Sequence, residues 1–410
     1  MDIRVFIACG RRYHRMDFLA KARAVEPEMI RTRRALHQNP ELSYHEEATA
    51  KLVAERLKSL GIDVKTGVGG TGVVGTLRGA KRGRVVGLRA DMDALPLEES
   101  SDVEFRSKVR GVAHACGHDT HVAMLLAAAR ILSEHRQELH GTVKFLFQPA
   151  EEHGGRGGAR PMIEDGALKN PKVDFVFGLH IVTTYRSGEF ALKGGAMMAA
   201  SDGFKVRIVG KGGHGARPHE SVDPVYIAAH VILALQGVSG RMIDPVQPFV
   251  LSVCSVHAGT KDNIIPDEAL LEGTIRTLDG DTRRKAKSKA KKVAIAVSRA
   301  FGGDAEISFI EDGYPVVYND PRTSESVAVL LSKRLGGKVR VAEPVLWGED
   351  FARFLEKVPG TFFFLGTFNE AKGCIYPNHS SKFKVDEEVL KLGAASLAML
   401  AMEFTSPKGQ

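Results

Sequence analysis

The stretch Ala115-Cys116-Gly117-His118-Asp119-Thr120-His121 puts a thiol, a carboxylate and two imidazoles within seven residues, and a long apolar run, Val122 to Leu132, follows at once. The apolar run predicts a helix that starts after His118 and ends near Glu134. A thiolate and an imidazole two residues apart, at the mouth of a helix, are good ligands for a soft or borderline divalent metal. One such cluster is only a candidate. Glu151-Glu152 after a strand, His180 after another and His379 near the end of the chain make it an argument.

Outward from this stretch, apolar strands lead to polar residues. Val85-Val86-Gly87-Leu88 ends in Arg89-Ala90-Asp91-Met92-Asp93, and Thr142 to Phe147 ends in Gln148-Pro149-Ala150-Glu151-Glu152. Asp174-Phe175-Val176-Phe177 ends in Gly178-Leu179-His180, and Thr361 to Gly366 leads toward Pro377-Asn378-His379. Apolar strands that alternate with helices predict an α/β fold with a largely parallel sheet. The polar residues then fall just past the C-terminal strand ends, where open α/β sheets place their sites. Residues 17–61 read as two helices separated by Asn39-Pro40, with short strands at Ile62-Lys65 and Gly72-Leu77.

Between Gly194 and Ile310 the pattern changes. Strand, helix, strand, strand, helix and strand follow at Phe204–Val209, Pro224–Val238, Phe249–His257, Ala269–Thr277, Thr282–Phe301 and Ala305–Ile310. That β-α-β-β-α-β order is ferredoxin-like. The expected organisation is a tail over residues 1–16, a catalytic domain over 17–193 and 311–410, and an inserted ferredoxin-like domain over 194–310. Glycine-rich joints at Gly194-Gly195 and Asp312-Gly313 read as hinges.

The chain has 410 residues, 43% apolar, and a net charge of +8. Aromatic residues are sparse and no aromatic-basic signature accompanies the charge, which argues against nucleic acid. The basic run Arg283 to Lys292 carries Ala286, Ala290, Val293 and Val297 at helical spacing, so it reads as the outer face of an amphipathic helix. The four cysteines form no C-x-x-C pair or disulfide framework. Cys9 and Cys254 read as small buried hydrophobes, and Cys374 stays open because it lies near His379. No apolar run reaches the length of a membrane span, and residues 1–15 have the wrong order for a signal peptide, with Met16 as an alternative start. The expected location is the cytoplasm.

Two metal ions about 3.5–4 Å apart can polarise a carbonyl and activate a water. Cys116, His118, Glu152, His180 and His379 are soft-to-borderline ligands for such a pair. Adjacent side chains on an extended segment point to opposite sides, so of Glu151 and Glu152 one can bind metal while the other faces the water as general base. His37, His45, His135, His140, His230 and His257 read as ordinary histidines, and His114, His121 and His153 as neighbours of the site. In the inserted domain, Lys211-Gly212-Gly213-His214-Gly215-Ala216-Arg217-Pro218 offers His214 as a donor to an oxyanion, set against a plain glycine-rich hairpin. Asn263 and Arg276 are candidates to hold a substrate carboxylate, for which the arginine fork suits two oxygens.

Together these stretches resemble the dinuclear-metal amidohydrolases and carboxypeptidases of the aminoacylase superfamily. The resemblance is strongest to hippurate hydrolases, bacterial N-acyl-amino-acid amidohydrolases and plant auxin-conjugate hydrolases. It rests on Leu36 to Leu42, Arg89 to Pro96, His114 to Asp119, Gln148 to Glu152, Gly178 to His180, Gly212 to Ala216, Asn263 to Pro266 and Asn378-His379, in that order along the chain. It implies a zinc-peptidase-like α/β catalytic domain and an inserted lid that often dimerises, and so a homodimer or higher oligomer. It implies Cys116, His118, Glu152, His180 and His379 as ligands, with Cys116 bridging, and Glu151 as general base. It also implies that His214 reaches the active site of a partner subunit. The related branch with a His-x-Asp ligand motif differs, since Arg89-Ala90-Asp91 stands here and position 89 is not a ligand.

The expected function is metal-dependent hydrolysis of N-acyl amino acids or of a C-terminal peptide bond. The expected cofactors are two divalent cations, Zn²⁺ first, with Co²⁺, Mn²⁺ or Ni²⁺ as alternatives. A narrow biosynthetic deacetylase of the N-acetyl-diaminopimelate type is a second expectation, and a non-catalytic metal- or peptide-binding protein a third.

Overall fold

The computed structural model describes residues 16–310 and 312–407. The tail over residues 1–15, with Cys9, and the end of the chain lie outside the described residues. The chain divides into two compact units. The first runs to Gly195 and takes up Tyr318–Glu343 and the chain from Asp350 onward; the second is Ala196–Val317 with Pro344–Glu349.

The first unit opens with helix α1 (Phe18–Gln38), capped by Asp17, whose carboxylate accepts the Ala20 N–H at 2.9 Å. Its buried Phe18, Ala22, Val25, Met29 and Leu36 recur at helical spacing and form one apolar stripe. Helix α2 (Glu47–Ser59) follows, then strands β1 (Asp63–Thr66), β2 (Val73–Arg78) and β3 (Lys81–Asp91). Helix α3 (His118–Glu134) is buried along nearly its whole length. A helix that is apolar all round has to be covered on every face. Strands β4 (His140–Gln148), β5 (Phe175–Arg186) and β6 (Glu189–Leu192) complete this part.

The second unit holds β7 (Ala200–Val209), α4 (Pro224–Gly237), β8 (Phe249–Ala258), β9 (Glu268–Thr277), α5 (Gly280–Ala300) and β10 (Asp304–Phe309). Its sheet has the order β8-β9-β7-β10, with every neighbouring pair antiparallel. Phe204, Val206, Ile208, Leu271 and Ile275 of the sheet and Ile227, Val231, Ala286, Ala290 and Ala294 of the helices form its core. Lys289, Lys291 and Lys292 of α5 are exposed. Cys254 is exposed too, which corrects the expectation of burial. The register slips between Val253 and Ser255, so Cys254 is the extra residue of a bulge, outside the regular pairing. A second correction concerns Pro224–Met242. This stretch is apolar and long enough, by composition alone, for a membrane span, with 28% of it buried.

Back in the first unit, α6 (Pro321–Leu335), β11 (Lys338–Val341), β12 (Gly360–Phe368) and α7 (Leu390–Thr405) close the fold. Gly393 of α7 lies so close to α3 that a Cβ there would meet the Met124 sulfur at 2.0 Å. The eight-stranded sheet has the order β1-β2-β4-β3-β5-β12-β6-β11. The centre, β4-β3-β5-β12, and the edge pair β6-β11 are parallel, whereas β1-β2, β2-β4 and β12-β6 are antiparallel, so the sheet is mixed, with the parallel pairings in the majority. β5 also runs well beyond His180. Ile181 and Val182 are buried, and pairing with β12 continues to Arg186. His180 is therefore an interior strand residue, not one beyond the strand end as the sequence suggested.

Candidate metal centre

The loop before α3 is shaped by Gly117, which caps the helix with φ +89°. A Cβ on Gly117 would lie 2.5 Å from Ile181 Cδ1. Only glycine meets both demands, the left-handed backbone and the close approach. The Thr120 N–H and hydroxyl both donate to Gly117 O, at 2.9 and 2.6 Å. Cys116 and His118 thus flank a fixed kink, both buried.

All five ligands named from the sequence, and Glu151, lie in the first unit. Cys116, Glu152 and His379 present ligand atoms within 4.8 Å of one another, as do His118, Glu151 and Glu152. His180 joins them: its Nε2 is 3.4 Å from Cys116 Sγ. His379 Nε2 is 3.1 Å from Glu152 Oε1, and His118 Nε2 is 3.9 Å from the same oxygen. The Glu pair departs from expectation. Ala150 is left-handed, with φ +53°, and the chain turns at Glu151-Glu152 instead of staying extended, so both carboxylates approach His118.

These donors fit a divalent cation on two grounds. His118 Nε2 and Glu152 Oε1 are buried and, apart from the His379 ion pair at Glu152, find no hydrogen-bond partner among the described residues, although buried polar atoms ordinarily do. Second, carboxylates crowd the His118 imidazole. Burial opposes the charged form of His118, but Asp91, Asp93 and Glu152 outweigh it and hold its pKa up to about 10. Burial, with the charges of Glu152 and Glu151, pushes the Cys116 thiol well up, so a cation is what would bring its sulfur to the thiolate. Burial, then the nearby His121, holds the pKa of His180 well down, which leaves it the neutral ligand form. Thiol, imidazole and carboxylate together suit a borderline ion such as Zn²⁺.

Behind these atoms stands a layer of which His121 alone was expected beside the site; Arg89, Asp91 and Asp93 had no role assigned from the sequence. Asp93 Oδ1 is 3.2 Å from His118 Nδ1, and its Oδ2 accepts the Ser43 hydroxyl at 2.7 Å and the Glu152 N–H at 2.9 Å. Asp91 Oδ1 is 2.5 Å from His121 Nδ1, whose Nε2 accepts the Ile181 N–H at 3.0 Å. Arg89, fully buried, donates to Asp91 at 2.6 Å, to Gln148 at 2.8 Å and to Asp350 at 3.0 Å. On the α1 side, Asp119 Oδ2 takes Arg33 Nε at 2.7 Å and His37 Nδ1 at 2.9 Å, and His37 Nε2 meets Glu99 at 3.1 Å. The signal was present in Arg89-Ala90-Asp91-Met92-Asp93, where two acids follow a strand, but spacing alone does not say which histidine each will meet.

His214, Asn263 and Arg276 belong to the second unit. His214 pairs with Ile264 in a two-residue ladder, and the Gly215 N–H donates to Asn263 O at 2.9 Å, so the first two are neighbours. His214 and Asn263 are exposed. Arg276, on β9, is half-buried, and burial lowers its pKa.

Peptidase family M20/M25/M40 matches residues 87–403. The chain is 54% identical over 396 residues to thermostable carboxypeptidase 2 of Saccharolobus solfataricus, covering 95% of this chain and 100% of that protein. It is 38% identical over 393 residues to the hippurate hydrolase of Campylobacter jejuni, covering 95% and 100%. Among solved structures, the Bacillus subtilis YXEP protein, described as a dinuclear metal binding peptidase from the M20 family, matches with a TM-score of 0.81 at 35% identity, covering 93% of this chain and 99% of that one.

Proposed function

Because this chain belongs to peptidase family M20/M25/M40, we propose that it releases a free amino acid by hydrolysing N-acyl amino acids or the C-terminal bond of short peptides. Family membership carries metal-dependent amide hydrolysis with two divalent cations. The observation that supports the site is the convergence of Cys116, His118, Glu152, His180 and His379 around buried ligand atoms without hydrogen bonds.

Cations held by these five residues would supply Lewis acidity toward the amide carbonyl and the attacking water. Glu151, buried beside His118 and Glu152, takes the proton from that water and delivers it to the leaving amine. His214 donates to the oxygen of the scissile carbonyl as it gains charge. Arg276 and Asn263 hold the α-carboxylate of the amino acid, the guanidinium by paired hydrogen bonds. The relatives named carboxypeptidase and hippurate hydrolase support a substrate with a free carboxylate next to the scissile amide.

The test is amino acid release from a panel of N-acyl amino acids and blocked dipeptides, with metal-loaded and chelator-treated protein side by side. Release that depends on metal is expected, and no release from metal-loaded, folded protein would end the reading. Glu151→Gln should retain metal and lose about 10²–10⁴-fold in kcat; near-normal turnover would remove Glu151 from the role. Self-association through the second unit is part of the proposal, since α4 exposes Val225, Tyr226 and Leu233. Light scattering should find a dimer or larger, and a monomer at micromolar concentration would overturn it.

A further inference from the structure

Asn378 stands where three ligand-bearing segments meet. Its side-chain Nδ2 is 3.1 Å from Cys116 O and 3.1 Å from Ile181 O. Both partners are carbonyl oxygens, so the amide nitrogen must face them and the side chain has one usable orientation. Ile181 O also accepts His180 Nδ1–H at 2.7 Å. That bond puts the proton of His180 on Nδ1 and leaves Nε2, the atom beside Cys116 Sγ, with its lone pair toward the cluster. The next residue, His379, donates its N–H to Ala115 O at 2.8 Å.

His379 needs such support. Its backbone is left-handed, with φ +69°, a conformation that strains a non-glycine residue. Its side chain is 56% exposed, so packing does not hold the ring. Hydrogen bonds hold the loop that carries it, and two of those bonds come from one amide.

We propose that Asn378 is a positioning residue: by tying the His379 loop to Cys116 O and Ile181 O, it sets the aim of His379 and fixes the carbonyl that orients His180. The inference rests on the ligand reading above. It adds no contact between Asn378 and substrate or metal.

The test uses full-length Asn378→Asp and Asn378→Ala beside His379→Ala, with Co²⁺ as the probe. Cation affinity is measured by competition with a chromophoric chelator, and the cobalt–thiolate absorption of Cys116 is recorded. Aspartate keeps the size of asparagine and cannot donate, so Asn378→Asp should lose about 10–100-fold in affinity for at least one cation, as alanine should. The thiolate band should shift in both variants. kcat should fall with KM unchanged, and raised metal should restore most of it, which a purely structural defect would not allow. Wild-type affinity and spectrum in Asn378→Asp and Asn378→Ala, with weakened binding in His379→Ala, would overturn the proposal and leave the ligand reading standing. Wild-type binding in all three variants would overturn both.

Discussion

His180 and His379 approach the same cluster and are held by opposite means. His180 is buried inside β5, opposite Phe364 of β12, and its ring is fixed by the Ile181 carbonyl. His379 is exposed on a left-handed loop residue and is held by hydrogen bonds from its neighbours. The deep half of the site is therefore part of the core, whereas the rim is an attachment to it. A change in the deep half should register in stability and in metal binding together. A side-chain change at the rim should register chiefly in metal binding.

The largest effect that separates the halves is expected from the two histidines themselves. His180→Ala and His379→Ala should each abolish most activity by weakening a cation, and excess metal should rescue the second more than the first. Only His180→Ala should also destabilise chelator-treated protein, by about 1–3 kcal/mol, because it leaves a cavity in the sheet. Denaturant unfolding of both variants checks this, and equal loss of stability would erase the distinction.

A smaller contrast lies in two left-handed glycines. Gly117, in the deep half, has Ile181 Cδ1 2.5 Å from where a Cβ would sit. Ile181 is fully buried and has little room to yield. Gly373, in the turn before the His379 loop, would meet only the tip of Lys384, at 2.9 Å. Gly117→Ala should cost about 2 kcal/mol or more and lower metal affinity with it, since Cys116 and His118 flank the kink. Gly373→Ala should cost about 1 kcal/mol, the strain of the backbone alone. Unfolding midpoints and chelator competition measure both; a larger loss at Gly373 would reverse the comparison.

The same division explains what the sequence disclosed. The strands around the deep half carry apolar runs such as Phe362 to Leu365, legible because a strand buried on both faces has almost no polar residue. The cluster residues stood out because thiol, imidazole and carboxylate side chains are out of place beside such runs. The turn at Glu151-Glu152 was not legible, since it depends on a left-handed alanine at position 150 that no residue type announces. Nor was the extension of β5 past His180, which β12 determines by pairing as far as Arg186. Cys254 was misread because cysteine is usually buried, and its residue type carries no sign that it is the extra residue of a bulge. The acids behind the histidines were visible as residue types and invisible as partners, because His37 and Glu99, or Arg33 and Asp119, meet only after the chain folds.

That last group gives the smallest and most specific prediction, a dependence of stability on pH. Burial opposes the charged form of Glu99, but the hydrogen bond and charge of His37 and bonds from Ser101 and Ser107 hold its pKa at about 2, below the ordinary 4.5. A carboxylate lowered on folding contributes stability above its unfolded pKa and loses it as pH falls toward the folded value. Its contribution should thus be complete above about pH 4.5 and fade between there and about pH 2, by at most about 3 kcal/mol at 1.36 kcal/mol per pKa unit. His37 has the opposite sense. Burial and Arg33 lower its pKa, but Asp119 and Glu99 prevail and raise it above 6.5. Its share is present below pH 6.5 and is lost as pH rises through the raised value. Glu99→Gln removes the acid-side term and weakens the His37 term, so its unfolding free energy should vary less than wild type between pH 5 and pH 3. It should also lose stability at pH 7, while cation affinity at the rim, probed in a His180→Ala background, stays unchanged. Equal acid sensitivity in wild type and Glu99→Gln would assign the pH dependence to other carboxylates and detach this network from the deep half of the site.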